Sequence, residues 1–144
     1  MKFSNKSKEK LETCHVDLQK IFNRVIKITS VDFGISEGYR TVERQKKLFD
    51  QGKSKIDGIN KKGKHNYNPS QAVDIYAYYD GKARWDLSHM SYLAGLVMAV
   101  GYEMYVGRYV SHEIRWGGNW DGDGKILIDQ RFDDTPHFEL IGVE

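Results

Sequence analysis

The sequence is poor in the residues that staple or punctuate a chain: one cysteine, Cys14, and two prolines among 144 residues. A single thiol excludes an internal disulfide and any zinc site built from cysteines. No run approaches the roughly 20 apolar residues of a membrane-spanning helix, so no membrane insertion is expected. The opening MKFSNKSKEK carries positive charge but no apolar stretch behind it. The expectation is a chain made in a cytoplasm without a signal peptide. An excess of one charge is also missing, because 22 Lys and Arg face 20 Asp and Glu for a net +2. Bulk charge therefore names no partner. No internal repeat, low-complexity tract or linker divides the chain, so residues 1–144 read as one domain. With 40% hydrophobic and 12% aromatic residues, the composition argues against disorder.

What is present is a series of short periodic segments. Leu11, Cys14, Leu18, Ile21, Phe22, Val25 and Ile28 recur at helical spacing, which predicts one helix over 7–28. Phe33-Gly-Ile35 reads as a short strand leaving through Gly38-Tyr39-Arg40. A second helix from Thr41 carries Val42, Leu48 and Phe49 inward and stops at Gly52. Residues 53–71 form a long polar loop, a length that in a compact domain often serves function. Ala72–Tyr78 alternates, with Val73 and Ile75 on one side and Asp74 and Tyr76 on the other. A third helix from about Ser88 buries Leu93, Leu96, Val97 and Val100. Glu113–Trp116 and His137–Leu140 read as further strands around the Gly- and Asp-rich stretch 117–134. Helices and short strands without regular βαβ alternation predict an α+β domain whose small antiparallel sheet is packed by helices.

Several chemistries are absent. His112-Glu113 starts like a zincin helix, but Trp116 stands where the second histidine belongs. There is no nucleophile elbow and no phosphate-binding glycine loop. No local signature supports a serine-histidine-aspartate site, and three residues stand out: His65 in the long loop, Asp74 on a strand, and His137 entering the last strand. Two imidazoles and a carboxylate make a three-ligand catalytic zinc set with a fourth position for water. Singly, each also reads as an ordinary loop, salt-bridged or structural residue. Asp134 lies three residues before His137 across a proline turn, where an acid could move protons beside a metal without binding it. Arg40, after a glycine turn, could polarise a carbonyl or clamp a carboxylate.

Taken together, Ser36-Glu-Gly-Tyr-Arg-Thr41 with Gln45, then His65 and Ala72-Val-Asp74, then Trp116-Gly-Gly and Asp134-Thr-Pro-His137-Phe-Glu139 resemble the zinc peptidases of peptidoglycan. These comprise the VanX- and VanY-type D-alanyl-D-alanine peptidases and the phage L-alanyl-D-glutamate endolysins. The resemblance covers about residues 30–140 in the family's order. It implies a compact α+β, Hedgehog/DD-peptidase-like domain, zinc on His65, Asp74 and His137, Asp134 as catalytic acid/base, and Arg40 contacting substrate. It also implies peptidoglycan stem peptides as partners and action on the cell wall after the membrane is breached. The family pattern Ser-x-His-x-x-Gly-x-Ala-x-Asp is altered here: Gly63 replaces the serine, and eight residues separate His65 from Asp74.

Two more stretches stand out. Residues 44–64 hold eight Lys or Arg, but no aromatic platform is interleaved, so nucleic acid is not expected. Asn119, Asp121 and Asp123 ahead of Gly124, with Asp129 beyond, resemble the first half of an EF-hand loop and make a candidate calcium site. The expectation is thus a monomeric zinc-dependent endolysin cutting a stem-peptide amide, L-alanyl-D-glutamate first. A D-alanyl-D-alanine carboxypeptidase is the alternative within the family. A non-catalytic metal-binding or nucleic-acid-binding domain is the alternative outside it.

Overall fold

The computed structural model describes residues 1–119, 122, 123, 125 and 134–144. Asp121 and Asp129 of the candidate calcium loop lie outside the described residues. The elements run α1 (Asn5–Glu12), α2 (Val16–Ile28), β1 (Phe33–Glu37), α3 (Val42–Asp50), a 3-10 turn (Lys64–Asn66), β2 (Ala72–Tyr79), β3 (Lys82–Arg84), α4 (Leu87–Val106), β4 (Ile114–Gly117) and β5 (Asp134–Leu140). The sheet has the order β1-β2-β5-β4, with β3 paired to the far end of β2, and every pairing is antiparallel. This is the expected α+β architecture.

Alternation divides the sheet into two faces. Val73, Ile75 and Ala77 of β2 and Phe138 and Leu140 of β5 point into the core, each fully buried. There they meet Leu18, Ile21, Phe22 and Val25 of α2 and Met90, Leu93, Ala94 and Val97 of α4. Phe22 and Phe138 meet edge to face at 5.6 Å, a favoured aromatic geometry. The opposite face carries Asp74, His137 and Glu139, and the functional groups gather on it.

The structure corrects the helix over 7–28. It is two helices, broken at Thr13–His15. Ser70 N–H donates to the Thr13 carbonyl and His15 N–H to the Ser70 carbonyl, so the apolar rhythm continues while the backbone leaves the helix to pair with the long loop. The His15 imidazole then caps α2 by accepting from Asp17 N–H. Helix α3 also differs. Val42 and Phe49 are exposed, and the residue it buries is Gln45, a polar anchor that periodicity of apolar side chains cannot reveal. The hairpin at Asp80-Gly81, both in left-handed conformation, adds the short strand β3 beyond those expected from the sequence. Among the described residues no helix is long and apolar enough to cross a membrane.

Candidate active site

The register of the sheet assembles the site. Glu37 of β1 pairs with Asp74 of β2, and Asp74 pairs with His137 of β5. Directly opposed residues on antiparallel strands have Cβ atoms only about 4.5–5.5 Å apart. A bulge between Ile35 and Glu37 turns the Glu37 side chain toward this row, a usual service of bulges near functional groups. A second irregularity separates Trp116↔Phe138 from Gly117↔Asp134 and accommodates Pro136, which has no N–H for a ladder. The Trp116 indole N–H donates to the Thr135 carbonyl at 2.7 Å, fixing the turn between Asp134 and His137. Gly117 is obligatory here, because a Cβ at that position would collide with the Asp134 carbonyl.

His65 arrives from the long loop. Its Nδ1 lies 2.7 Å from the Gly38 carbonyl, and a carbonyl only accepts, so Nδ1 carries the hydrogen. The loop is tied down on both sides: Arg40 N–H donates to the His65 carbonyl, and Asn66 Nδ2 donates to the Arg40 carbonyl. His65 Nε2 is left with a lone pair facing Asp74 Oδ1 at 3.2 Å and His137 Nδ1 at 3.3 Å. His137 is oriented the same way from the other end, its Nε2 donating to Glu139 Oε1 at 2.9 Å while Nδ1 faces Asp74 Oδ1 at 2.9 Å.

Three acceptor atoms therefore converge on one point: His65 Nε2, His137 Nδ1 and Asp74 Oδ1. Lone pairs this close repel unless a proton or a cation sits among them. Metal–ligand bonds of about 2.0–2.2 Å would reach all three, and the carbonyl and carboxylate behind the rings are the usual outer partners of metal-bound histidines. The donor set fits a divalent metal. In the bare protein a proton takes its place. Burial would lower the His137 value, but the Asp74 and Glu139 carboxylates hold it well above the ordinary imidazole range. Burial likewise opposes ionisation of Asp74, yet His65 and His137 keep its carboxyl far below its usual value.

Two groups flank the cluster. Asp134 Oδ2 is 3.9 Å from His137 Nδ1, beside the convergence point and outside it. Burial, then the neighbouring Asp74 carboxylate, push its carboxyl above the usual value, the direction expected of a group that must exchange protons. Arg40 stands on the other side. Its guanidinium grips Glu37 through Nε at 2.9 Å and Nη2 at 2.7 Å, and Nη1 donates to Gln45 Oε1 at 2.9 Å. Nη2 also approaches Asp74 Oδ2 at 3.6 Å. Glu37, Gln45 and Glu139 belong to the sequence motifs above, and their roles emerge only here. Only Glu139, two residues from His137 on β5, carries a strand-alternation signal; the partners of Glu37 and Gln45 depend on the loop and helix that follow β1.

A cleft of about 570 Å³ opens over this face, lined by Arg40, His65, Asp134 and His137 on one side and by Lys53, Lys55, Lys61, Lys62 and Lys64 on the other. The basic stretch thus forms a wall of the cleft. In the acidic loop, Asn119 Oδ1 is buried without a hydrogen-bond partner among the described residues, and Asp123 Oδ1 accepts from Lys125 N–H.

Two histidines and an aspartate that could hold a metal ion, beside a carboxylate of raised pKa in a cleft of an α+β domain, make the kind of arrangement found in hydrolytic metalloenzymes. The chain belongs to the phage L-alanyl-D-glutamate peptidase family, whose profile matches residues 1–141. It is 29% identical over 143 residues to the L-alanyl-D-glutamate peptidase of Escherichia phage T5, covering 97% of this chain and 98% of that protein. It is 27% identical over 124 residues to the peptidoglycan L-alanyl-D-glutamate endopeptidase CwlK of Bacillus subtilis (strain 168), covering 77% of this chain and 62% of the relative. The crystal structure of the Serratia marcescens L-Ala D-Glu endopeptidase ChiX superposes with a TM-score of 0.75 at 26% identity, covering 97% of this chain and 90% of that one. The chain is a peptidase, and the fold expected from the sequence agrees with that structure.

Proposed function

We propose that this chain is a zinc-dependent endolysin that hydrolyses the L-alanyl-D-glutamate bond of peptidoglycan stem peptides. The observation that carries the chemistry is the convergence of three lone pairs from His65, Asp74 and His137 with Asp134 beside them; the relatives named above support the choice of bond over D-alanyl-D-alanine. Zinc is favoured because two neutral imidazoles and one carboxylate suit a borderline metal better than calcium or magnesium. Bound there, zinc would supply Lewis-acid chemistry, acidifying water and polarising a carbonyl. Asp134, ionised, takes the proton of the attacking water and hands it to the leaving nitrogen. Glu139 and the Gly38 carbonyl hold the two rings in the required tautomers. Arg40 holds Asp74 through Oδ2 and lines the cleft. The lysine wall favours the free carboxylates that stem peptides carry.

The test is mass spectrometry of muropeptides after digestion with the zinc-loaded protein, which names the bond cut. Asp134→Asn should keep the metal and lose activity by at least roughly a hundredfold, the scale of general-base catalysis. His65→Ala should lose both. Full activity of metal-stripped His65→Ala would remove the zinc reading, and cleavage at D-alanyl-D-alanine would correct the substrate. The acidic loop adds a second proposal, calcium on Asn119, Asp121, Asp123 and Asp129. It is supported by their spacing and by the Asn119 oxygen, which has no hydrogen-bond partner among the described residues. We further infer that the enzyme is made in the host cytoplasm, reaches the wall when the membrane is breached, acts as a monomer, and does not bind nucleic acid.

A further inference from the structure

A second cluster of metal-ligating side chains lies apart from the active site and shares no residue with it. His15, Asp17 and His112 each offer a ligand atom, and these atoms all lie within 4.8 Å of one another. We propose that His15, Asp17 and His112 form a second site for a divalent transition-metal ion such as zinc, clamping the start of α2 to the turn that follows α4.

The cluster matches the first in kind. His15 and His112 stand edge to face with ring centres 5.2 Å apart and planes at 86°, against 5.1 Å and 70° for His65 and His137. The carboxylate between them is held in place: Asp17 is a charged side chain only 4% exposed. Its Oδ2 accepts from Ser111 N–H at 3.0 Å and faces His112 Nδ1 at 2.8 Å. His15 Nδ1 lies 4.0 Å from the same oxygen. Two imidazoles with one carboxylate select borderline metals, whereas calcium and magnesium want an all-oxygen shell.

The sequence separation is what makes such a site useful. Asp17 and His112 are 95 positions apart, and a metal bridging them crosses between α2 and the segment entering β4. The two histidine side chains are 21% and 23% exposed, so an ion could enter from solvent and complete its shell with water. Binding has a stated cost. His15 Nδ1 now accepts from Asp17 N–H at 3.0 Å as the helix cap, and His112 Nδ1 donates to Asp17. A metal on these atoms gives up the cap bond and shifts the His112 proton to Nε2. The site should therefore bind more weakly than the active-site cluster, where a metal displaces a proton shared among the ligand atoms and breaks no helix cap. The role is structural, a cross-link between distant segments, and the His15 N–H bond to the Ser70 carbonyl places the clamp next to the loop that carries His65.

Calorimetric titration of chelator-stripped protein with zinc, repeated with cobalt(II) to record d–d absorption, tests this directly. The wild type should take up two equivalents, His137→Ala one, and His137→Ala with His112→Ala none. The informative variant is His15→Asn in the His137→Ala background, because asparagine is a better helix cap than histidine and removes only the imidazole. It should keep the melting temperature of the metal-free parent, confirming a folded protein, while losing the remaining equivalent and the metal-induced thermal shift. A single equivalent in the wild type that His137→Ala abolishes, or undiminished uptake in both His112→Ala and His15→Asn, overturns the proposal. The readout is stoichiometry, so failure here leaves the reading of the active site untouched.

Discussion

Glu37→Gln is the sharpest test of how the active-site row is held. Glu37 accepts two charge-assisted bonds from Arg40 and a third from Arg44 Nε at 2.8 Å. The Glu37 and Arg40 side chains are 16% and 11% exposed, so solvent replaces little of what is lost. Breaking a fully buried pair costs roughly 3–5 kcal/mol. Glutamine keeps one acceptor oxygen and the site is not fully dry, which brings the expected loss to about 2 kcal/mol. For a domain of this length that is a fall in Tm of about 4–8 °C, read by calorimetry at neutral pH. The charge origin can be isolated by pH. Burial would raise the Glu37 value, but the Arg40 and Arg44 guanidinium groups hold it below the usual carboxylate range. A depressed folded value means stability that is present above the unfolded value of about 4.3 and lost as pH falls through the folded one. The gap between wild type and variant should therefore narrow below about pH 4. Activity should fall too, since a guanidinium released by Glu37 is free to pull on Asp74 Oδ2. A gap under about 1 °C at neutral pH, or one that keeps its full size at pH 3, would refute the reasoning.

The other perturbations probe the same face. Arg40→Lys should cost at least about tenfold in wall hydrolysis, because a point charge cannot span Glu37, Gln45 and Asp74 as a guanidinium does; an unchanged rate places Arg40 outside the machinery. In the metal-free protein the raised His137 value stabilises the fold below about pH 6.5, and that contribution fades as pH rises through the folded value. Zinc needs the same nitrogen deprotonated, so the Tm difference between zinc-loaded and metal-free protein should grow from about pH 5.5 to 8.5, and a constant difference argues against His137 as ligand. Calcium at about millimolar concentration should raise Tm or activity through the acidic loop, and equal binding after Asp121→Ala with Asp123→Ala would dismiss that site.

Much of this was legible in the chain. The alternation of Ala72–Tyr78 put Asp74 on the face opposite Val73 and Ile75, where it is found, because strand period depends on the residues themselves. The long loop carrying His65 and the Asp134-to-His137 spacing were equally visible. What the chain could not show is where segments distant in sequence meet. Nothing local says that the loop at Ser70 pairs with Cys14 and so breaks the first helix, or that Glu37 faces Arg40 from beyond a bulge. Helix α3 misled for a different reason: its anchor is Gln45, whose amide donates to the Ile56 carbonyl and Ser54. A polar side chain satisfied in this way can be buried as deeply as a leucine.

The placement of Asp74 explains why these separate details belong to one device. Its two oxygens are divided: Oδ1 faces both histidines and Oδ2 faces Arg40. A carboxylate on a bare strand would rotate freely about its last bond and present either oxygen, or both, to a cation. With Oδ2 drawn toward a guanidinium that is itself fixed by Glu37 and Gln45, Oδ1 alone is presented to the convergence point. Asp134 then remains on the open side of the cluster, 3.9 Å from His137 Nδ1, able to exchange protons without being drawn in as a fourth ligand. The strand register sets these distances, and under the proposed function the arginine would favour Asp74 as the ligand and leave Asp134 to act as base.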